Sequence, residues 1–269
     1  MRVTIHVCSR DRHSELGLLV QSLRTQTFQD WDLIVLDSAS GSPIQGCQFL
    51  NVLFNELKQE GHSVRLYREN NVVGVCRARN RLIELDDLGN EFVCRLDDDV
   101  ILEPDYLERL LNVINQGFDI ASGVTPNAGM PCLERETRFL GDKINVLKLD
   151  EEGNILEFGD DCGFTYDKSK VLSADHFRSC ALYKSEIQKK VKYPEHLSFV
   201  GFREESWFSL NALRLGYKIG VDTKAKVVHL RTPSGGVRVS DYAERVKIDE
   251  EEFQKFVKKL VKDEKFRIP

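Results

Sequence analysis

Apolar and polar positions along the first 124 residues follow two alternating periods. Short apolar runs rich in β-branched residues predict strands, and the segments between them place apolar residues three or four positions apart, as on one face of a helix. Strands are predicted at VTIHV (3–7), DLIVLD (32–37), SVRLY (63–67), EFVCRL (91–96) and FDIASGV (118–124). Helices are predicted after Ser14, around Phe49–Leu57, over 75–87 and over 104–116. This alternation is typical of a parallel sheet covered by helices on both faces, whose sites lie beyond the carboxyl ends of the strands.

The pattern changes in the second half of the chain, where strands and helices no longer alternate regularly. The predicted elements are a hairpin over 144–159 turning near Glu152-Gly153-Asn154, an extended segment over 170–183, a helix over 203–215 and a short strand over 226–230. A turn containing Gly and Asn between two apolar runs is typical of a hairpin. The whole chain is therefore predicted to be α/β, with a smaller mixed part after the parallel one.

An amphipathic helix is predicted from Asp241 onward. Its apolar side contains Phe253, Phe256, Val257, Leu260 and Val261, and its opposite side is rich in lysine. Such a helix buries its apolar side against the domain or lays it on a membrane surface. We favour packing on the domain and keep peripheral membrane contact as the alternative.

Composition narrows the class of protein. The chain has 269 residues, 41% of them hydrophobic and 30% charged, and a formal net charge of -5, which does not favour binding to nucleic acid. No apolar run approaches the roughly 20 residues that span a bilayer, and the amino terminus has no apolar signal core. The seven cysteines show no metal-binding spacing, which is typical of a reducing compartment. We expect a cytoplasmic protein without a transmembrane segment.

Three consecutive aspartates in CRLDDDVI (94–101) directly follow a predicted strand. Adjacent carboxylates require full solvation or a cation, although a cap on the following helix would also suit them. The chain contains no P-loop, no GxGxxG after the first strand, no EF-hand loop and no GxSxG. The strand-end position favours a site for Mg²⁺ or Mn²⁺ shared with the phosphates of a substrate.

A series of longer stretches resembles the family 2 glycosyltransferases of the GT-A fold. In order, these are VTIHVCSRDR, SLRTQTFQDWDLIVLDSAS, NNVVGVCRARN, CRLDDDVILEPDYLERL, FREESWFSLNALRLGYKI and AKVVHLRTPSGG. The resemblance covers about residues 2–236. It implies a Rossmann-like, mostly parallel sheet flanked by helices, a smaller mixed acceptor-side sheet, and a C-terminal helix. Residues 1–124 would bind the nucleotide sugar, 125–236 would form the acceptor and catalytic half, and 237–269 would be the tail.

The resemblance also implies roles for residues on the donor side. Asp37 is placed to contact the base or ribose, although the family often has two acids where this chain has Asp37-Ser38. Arg79 is placed near the nucleotide, with Arg77 as its rival. On a helix Arg77 and Arg81 share one face and Arg79 points elsewhere, so surface solvation is the alternative for each.

The resemblance places the three aspartates at 97–99, together with the last predicted strand, at the diphosphate of the donor. Alternation along an extended chain sends Asp97 and Asp99 to one side and Asp98 to the other. The resemblance implies that Asp97 contacts the sugar or ribose, that Asp99 binds the metal, and that Asp98 contacts the donor sugar or caps the helix. His229 is placed as a further metal ligand, against the alternative of a core histidine, and Arg231 as a diphosphate contact, against a simple surface turn.

On the acceptor side, the acidic pair Glu204-Glu205 opens a predicted helix, where carboxylates also favour the helix dipole. The resemblance assigns Glu205, and not Glu204, as the general base. Asp175 and His176 fall in the region that resembles the acceptor-side loop.

The resemblance therefore implies an enzyme that moves a sugar from a nucleoside-diphosphate sugar, UDP-linked by default, to a hydroxyl of a glycan or lipid-linked acceptor. Mn²⁺ or Mg²⁺ would be the cofactor, and inversion at the anomeric carbon is expected. The alternatives are a retaining GT-A enzyme, a sugar-phosphate nucleotidyltransferase, and a catalytically silent nucleotide-sugar-binding protein. A nucleotidyltransferase would carry a glycine- and arginine-rich loop after the first strand, whereas SRDRHSE has no glycine.

Overall fold

The computed structural model describes residues 1–128, 133–135, 143–159, 164–166 and 168–263. Its first half contains β1 (Val3–Ser9), α1 (His13–Arg24), β2 (Trp31–Asp37), α2 (Gln48–Gln59), β3 (Val64–Arg68), α3 (Val75–Leu85), β4 (Phe92–Leu96), β5 (Val100–Leu102), α4 (Tyr106–Asn115) and β6 (Ile120–Val124). Every strand and helix predicted for this half is present, within a few residues of its predicted bounds.

The second half contains more and shorter strands. They are β7 (Leu133–Arg135), β8 (Lys143–Ile144), β9 (Leu147–Leu149), β10 (Ile155–Phe158), β11 (Phe164–Tyr166), β12 (Val171–Ala174), β13 (Ala181–Lys184) and β14 (Ile219–His229). The helices are α5 (Ser185–Lys190), α6 (Glu204–Arg214) and α7 (Tyr242–Val261). The predicted hairpin is confirmed, since β9 and β10 pair antiparallel.

The main sheet has the order β3-β2-β1-β4-β13-β6-β14-β12-β8. The first four strands in this order are parallel, as predicted. β13, however, lies antiparallel between β4 and β6, so the regular alternation of the first 124 residues does not continue into one uninterrupted parallel sheet. The sequence pattern identifies a strand by its own residues and carries no information on which distant strand will pair with it.

Strand β2 shows why the parallel part needs helices on both faces. Leu33 and Val35 belong to one buried cluster, with apolar residues of α1 and α2. Ile34 and Leu36 belong to another, with Ala78 and other residues of α3. A strand covered on both faces reads as a continuous apolar run, which is the pattern of DLIVLD.

Strand β14 is longer than the sequence predicts. Residues 220–224 (GVDTK) include a glycine and three polar residues, so they lack the apolar pattern from which a strand is predicted. Its first residues pair with β6, and after a shift in register its last residues pair with β5. In this second pairing His229 stands opposite Val100, the residue after Asp99. The long strand therefore carries His229 to the end of β4.

Helix α7 packs on the domain, as the favoured interpretation predicts. Phe253, Val257 and Leu260 are buried in a cluster that includes Leu147 and Leu210. Phe256 stacks on Trp207 of α6, with ring centroids 3.9 Å apart. Within the described residues, no helix is both long and apolar enough to cross a bilayer.

Candidate active site

The carboxyl ends of β1 and β4 meet because the two strands are parallel neighbours, with Val7 opposite Leu96. This register places the loop after β1, residues 10–12, beside the aspartates after β4. The ends of both strands open into a cavity of about 600 Å³, which is also lined by residues of α3, α6 and the segment after β14. The position matches the crevice at which sheets of this kind bind ligands.

Asp99 and His229 form the best-defined pair in this cavity. The Nε2 atom of His229 lies 3.2 Å from Oδ1 of Asp99, and the other carboxylate oxygen of Asp99 accepts a hydrogen bond of 3.2 Å from the amide of Thr232. Asp99 is 2% exposed, and its carbonyl oxygen accepts a bond of 2.8 Å from the amide of Leu230. The main chain after β14 is thus bonded directly to the acidic stretch.

The pair has the dimensions of two neighbouring ligands of a small divalent cation. Ligands about 2.1 Å from Mg²⁺ at right angles are roughly 3 Å apart. No cluster of three or more His, Cys, Asp or Glu suited to a metal occurs among the residues that the structure describes. Asp99 and His229 therefore fit a metal that takes its other ligands from substrate phosphates and water, which is the usual mode for Mg²⁺ in phosphate sites.

Arg12 is one of the residues of this site that the sequence prediction missed, together with Arg95 and Ser179. Its side chain is 7% exposed, donates to Oδ1 of Asp98 over 2.9 Å and lies 3.2 Å from Oδ2 of Asp99. It also donates to the carbonyl oxygens of Ser234, over 3.0 Å, and Thr232, over 3.3 Å. The available signal was an arginine in the loop after the first strand, which could be paired with the aspartates only once β1 and β4 were known to be neighbours.

Asp98 is 5% exposed and is paired with Arg12 at the edge of the cavity. Burial, opposed by Arg12 and reinforced by the adjacent charge of Asp99, raises the pKa of Asp98 to about 6. The predicted contact of Asp98 with the donor sugar remains a prediction, since the structure uses the carboxylate to hold Arg12.

Asp97 is the most accessible of the three aspartates, with a quarter of its side chain exposed. It accepts hydrogen bonds from Arg79 and from the Ser179 hydroxyl, and Arg95 lies 3.4 Å away. Burial would raise its pKa, but the charges of Arg79 and Arg95 outweigh this effect and hold the pKa well below the usual range. Asp97 therefore offers to the cavity a carboxylate that is ionised at neutral pH.

Helix α3 directs Arg79 toward the cavity, and a contact of Arg79 with the nucleotide remains a prediction. The side chain of Arg79 is 3% exposed and lines the cavity, whereas those of Arg77 and Arg81 are 65% and 47% exposed. Arg79 also donates to the carbonyl oxygen of Leu96 over 2.9 Å, which fixes the end of β4.

The acidic pair at the start of α6 divides into a buried and an accessible member. Glu204 is 4% exposed, accepts a hydrogen bond of 2.9 Å from Arg95 and lies 3.8 Å from Nε of Arg79. Burial, partly offset by Arg95 and reinforced by Glu205, raises the pKa of Glu204 to about 7. Glu205 is half-buried and lines the cavity, and no hydrogen bond or ion pair to its carboxylate is found among the described residues. A base must be free to accept a proton, so this geometry suits Glu205.

Asp37 lies at the end of β2, but its carboxylate is directed into the protein. It is 1% exposed, accepts bonds from the amides of Ser40 and Ile44 over 2.8 and 3.1 Å, and forms an ion pair with Arg68. Burial opposes ionisation, but the bonds from Ser40 and Ile44 lower the pKa of Asp37 below its ordinary value. Ser38, not Asp37, lines the cavity. Nucleoside contact by Asp37 remains a prediction.

The remaining predicted residues fall in two places. Arg231 is exposed, lines the cavity and has a left-handed backbone, with φ of 54°. Asp175 and His176 are buried and do not line the cavity: Asp175 accepts a bond of 2.9 Å from the amide of Leu147, and His176 bonds the carbonyl oxygen of Gly159 over 2.8 Å. In this structure they hold the hairpin of the second half rather than the wall of the site.

The sequence model of glycosyl transferase family 2 matches residues 4–173, more than half of the chain. The chain belongs to glycosyl transferase family 2. The resemblance predicted from the order of its motifs is confirmed. No curated protein matches this family 2 chain in a sequence search.

Solved structures confirm the predicted GT-A fold of this family 2 member. S. aureus TarS 1–349 in complex with UDP-GlcNAc is 15% identical with a TM-score of 0.60, and the match covers 94% of this chain and 66% of that one. GalNAc-T7 with UDP, GalNAc and Mn²⁺ is 13% identical with a TM-score of 0.66, covering 92% of this chain and 48% of that one. The family 2 chain thus spans about two thirds of the first structure and under half of the second.

Proposed function

We propose that this protein transfers a sugar from a nucleoside-diphosphate sugar to a hydroxyl of a glycan or lipid-linked acceptor. The observation that carries the proposal is the meeting of Asp97, Asp99, His229 and Glu205 at one cavity, from elements distant in the sequence. UDP is the default donor nucleotide, supported by the UDP-GlcNAc in the TarS structure and the UDP in the GalNAc-T7 structure. A cytoplasmic location, with or without membrane contact through the tail, belongs to the same proposal.

A divalent cation is proposed as the cofactor, held by Asp99 and His229. Mn²⁺ is present in the GalNAc-T7 structure, and either Mn²⁺ or Mg²⁺ suits one carboxylate and one imidazole completed by phosphate oxygens. When bound, the cation stabilises the negative charge of the departing diphosphate. Arg231, on the segment that follows His229, adds a positive charge near the same position.

Asp97 is proposed to orient the donor. Because its pKa is held low, it is ionised at neutral pH and accepts hydrogen bonds from hydroxyl groups of the ribose or the sugar. Arg79 and the Ser179 hydroxyl hold this carboxylate in place through their own hydrogen bonds to it. The reactive carbon is therefore presented in one orientation, which lowers the entropic part of the barrier.

Glu205 is proposed as the general base. It accepts the proton of the acceptor hydroxyl while the hydroxyl oxygen attacks the anomeric carbon, and the bond between that carbon and the diphosphate breaks. Attack from the side opposite the leaving group inverts the configuration. Glu204 is held by Arg95 and serves to fix the start of α6.

The test is hydrolysis and transfer with a panel of UDP-sugars and Mn²⁺ or Mg²⁺, because water replaces the acceptor slowly in many enzymes of this kind. Release of UDP with an inverted sugar product supports the proposal. A product of retained configuration would select the retaining alternative. Binding of UDP-sugar, shown by a rise in Tm, without any release of UDP would select the silent binding protein.

A further inference from the structure

The loop that leads into helix α6 forms part of the wall of the cavity. Residues 199–202 of this loop all line the cavity, and the chain then passes through Arg203, whose backbone is left-handed with φ of 70°. Glu205 follows in the first turn of the helix. The direction of the proposed base therefore depends on where this loop is held.

One buried carboxylate of the C-terminal helix holds the loop. Asp249, in α7, is 0% exposed. Its carboxylate accepts three hydrogen bonds: 2.6 Å from the amide of Ser198, 2.7 Å from the Ser198 hydroxyl and 2.8 Å from the amide of Phe202. No ion pair to Asp249 is found in the part of the chain that the structure describes. A buried carboxylate without an opposite charge depends on the hydrogen bonds that it accepts. These three bonds therefore define the position of the loop relative to α7.

Further contacts hold the loop on both sides. Nε of Arg203 lies 3.0 Å from Glu250 of α7, and its guanidinium stacks on Phe158, 3.8 Å from the ring centroid. On the other side, the amide of Val75 at the start of α3 donates to the carbonyl oxygen of Phe199 over 3.3 Å. A Cβ atom at Gly201 would lie 2.3 Å from Val75, so the two segments are in direct contact.

We infer that Asp249 is a positioning residue for the transfer reaction, and that α7 is a working part of the active site. The carboxylate fixes loop 198–202 against α3, and through the loop it fixes the first turn of α6 that carries Glu205. The inference rests on the proposed function. It reaches beyond the match to the family model, which ends at residue 173, far before this helix.

The test compares Asp249→Asn with the unchanged full chain in UDP-sugar hydrolysis and transfer. The amide keeps the size of the carboxylate but replaces one acceptor by a donor, so one loop hydrogen bond is lost and the loop shifts. A displacement of about 1 Å at a reacting group costs up to about 10²-fold in rate, so we expect kcat to fall by roughly 10- to 100-fold. The KM for the donor should change much less, because the aspartates, Arg79 and His229 are not touched by Asp249.

Two further variants separate positioning from stability. Ser198→Ala removes the hydroxyl that donates to Asp249 and accepts a bond of 3.2 Å from the amide of Val200, and it should lower kcat in the same direction by a smaller factor. Phe253→Leu weakens the packing of the same helix but leaves every hydrogen bond between Asp249 and the loop in place, so it should lower Tm while leaving kcat of the folded enzyme unchanged. Should Asp249→Asn not fold, Ser198→Ala decides the question.

Wild-type kcat in folded Asp249→Asn, or in Ser198→Ala when the first variant is unfolded, would overturn the inference. A loss of kcat in Phe253→Leu as large as in Asp249→Asn would overturn it too, because stability alone would then explain the effect. If the unchanged chain neither hydrolyses nor transfers any UDP-sugar, the proposed function itself fails, and the inference fails with it.

Discussion

The carboxylates at this site are chemically alike, but their neighbours give them different pKa values and different partners. Asp97 is kept ionised by two arginines, Asp98 and Glu204 are raised in pKa by burial, and Asp99 is paired with His229. Both members of the acidic pair at α6 line the cavity, but the carboxylate of Glu204 is bonded to Arg95, whereas that of Glu205 has no partner among the described residues. Substitution of single residues should therefore separate the proposed roles.

Asp99→Ala should abolish the dependence of nucleotide affinity on a divalent cation. The variant loses one of the two proposed metal ligands. Asp98 still pairs with Arg12, and the charges of Asp98 and Asp99 no longer repel each other, so the ligand-free Tm should change little. The measurement is the Tm shift produced by UDP with and without Mn²⁺. Asp105→Ala, at an exposed ion pair with Arg109, is the matched control and should respond as the wild type does. An unchanged Mn²⁺-dependent shift in Asp99→Ala would refute the metal assignment.

Glu205→Gln should lower turnover by about 10²–10⁴-fold with donor affinity almost unchanged, because an amide cannot accept the proton of the acceptor. Glu204→Gln should lower turnover much less, because Glu204 has a raised pKa and the fold therefore accommodates a neutral side chain at this position. The measurement is kcat together with the KM for the donor in both variants. If Glu204→Gln lost more turnover than Glu205→Gln, Glu204 would be the base. If neither variant lost turnover, the retaining alternative would be favoured.

The pH dependence of stability provides a separate check on Glu204. Its folded pKa of about 7 lies above the ordinary value of 4.5, so the folded state binds the proton more tightly than the unfolded state does. Stability from this group is present below pH 4.5 and is lost as pH rises towards 7, by on the order of 1 kcal/mol per pH unit. The pKa of Asp98 is also raised, to about 6, so Asp98 likewise contributes a loss of stability as pH rises towards 6. Tm measured from pH 5 to 8 should therefore fall less steeply in Glu204→Gln than in wild type; equal slopes would contradict the raised pKa.

Helix α7 has two roles: its apolar side packs on the domain, and its polar side holds a loop of the cavity. The sequence predicts the first role and not the second. Its apolar residues pack on the hairpin and on α6, and its polar residues Asp249 and Glu250 hold the loop that precedes α6. Phe253 and Val257 were assigned to a buried side from their spacing alone. The role of Asp249 could not be predicted, because its partners lie about fifty residues away in a loop without a periodic pattern.

Truncation before Asp241 should expose this packing surface and make the chain insoluble. Removing the burial of Phe253, Val257 and Leu260 costs on the order of 5 kcal/mol, at about 1.5–3 kcal/mol for each side chain. Solubility, Tm and association with anionic liposomes are the measurements. A truncated chain that stays soluble and folded, but no longer associates with liposomes, would favour the membrane-surface alternative.

At the scale of the whole molecule, Arg12 connects the first strand, the aspartates after β4 and the segment after β14. Arg12→Ala would leave buried Asp98 without its counter-charge, which typically costs 3–5 kcal/mol, and would free the carbonyl oxygens of Ser234 and Thr232. We expect a lower Tm, faster proteolysis within 231–238 and weaker UDP binding. Arg24→Ala at the end of α1, in an ion pair with Glu60 at the surface, is the control. Unchanged proteolysis and UDP affinity in Arg12→Ala would contradict this connecting role.

Patterns along the chain are sufficient to predict the class of fold, most of the helices and strands, the buried side of α7 and the acidic stretch at the end of β4. These properties depend on local periodicity and on residue types within a few positions of each other. Four features became visible only in the folded chain: the antiparallel position of β13, the full length of β14, the pairing of Arg12 with Asp98 and the inward direction of Asp37. Each of these depends on which distant segments meet, and that outcome is set by packing and hydrogen bonding across the sheet rather than by any pattern along the chain.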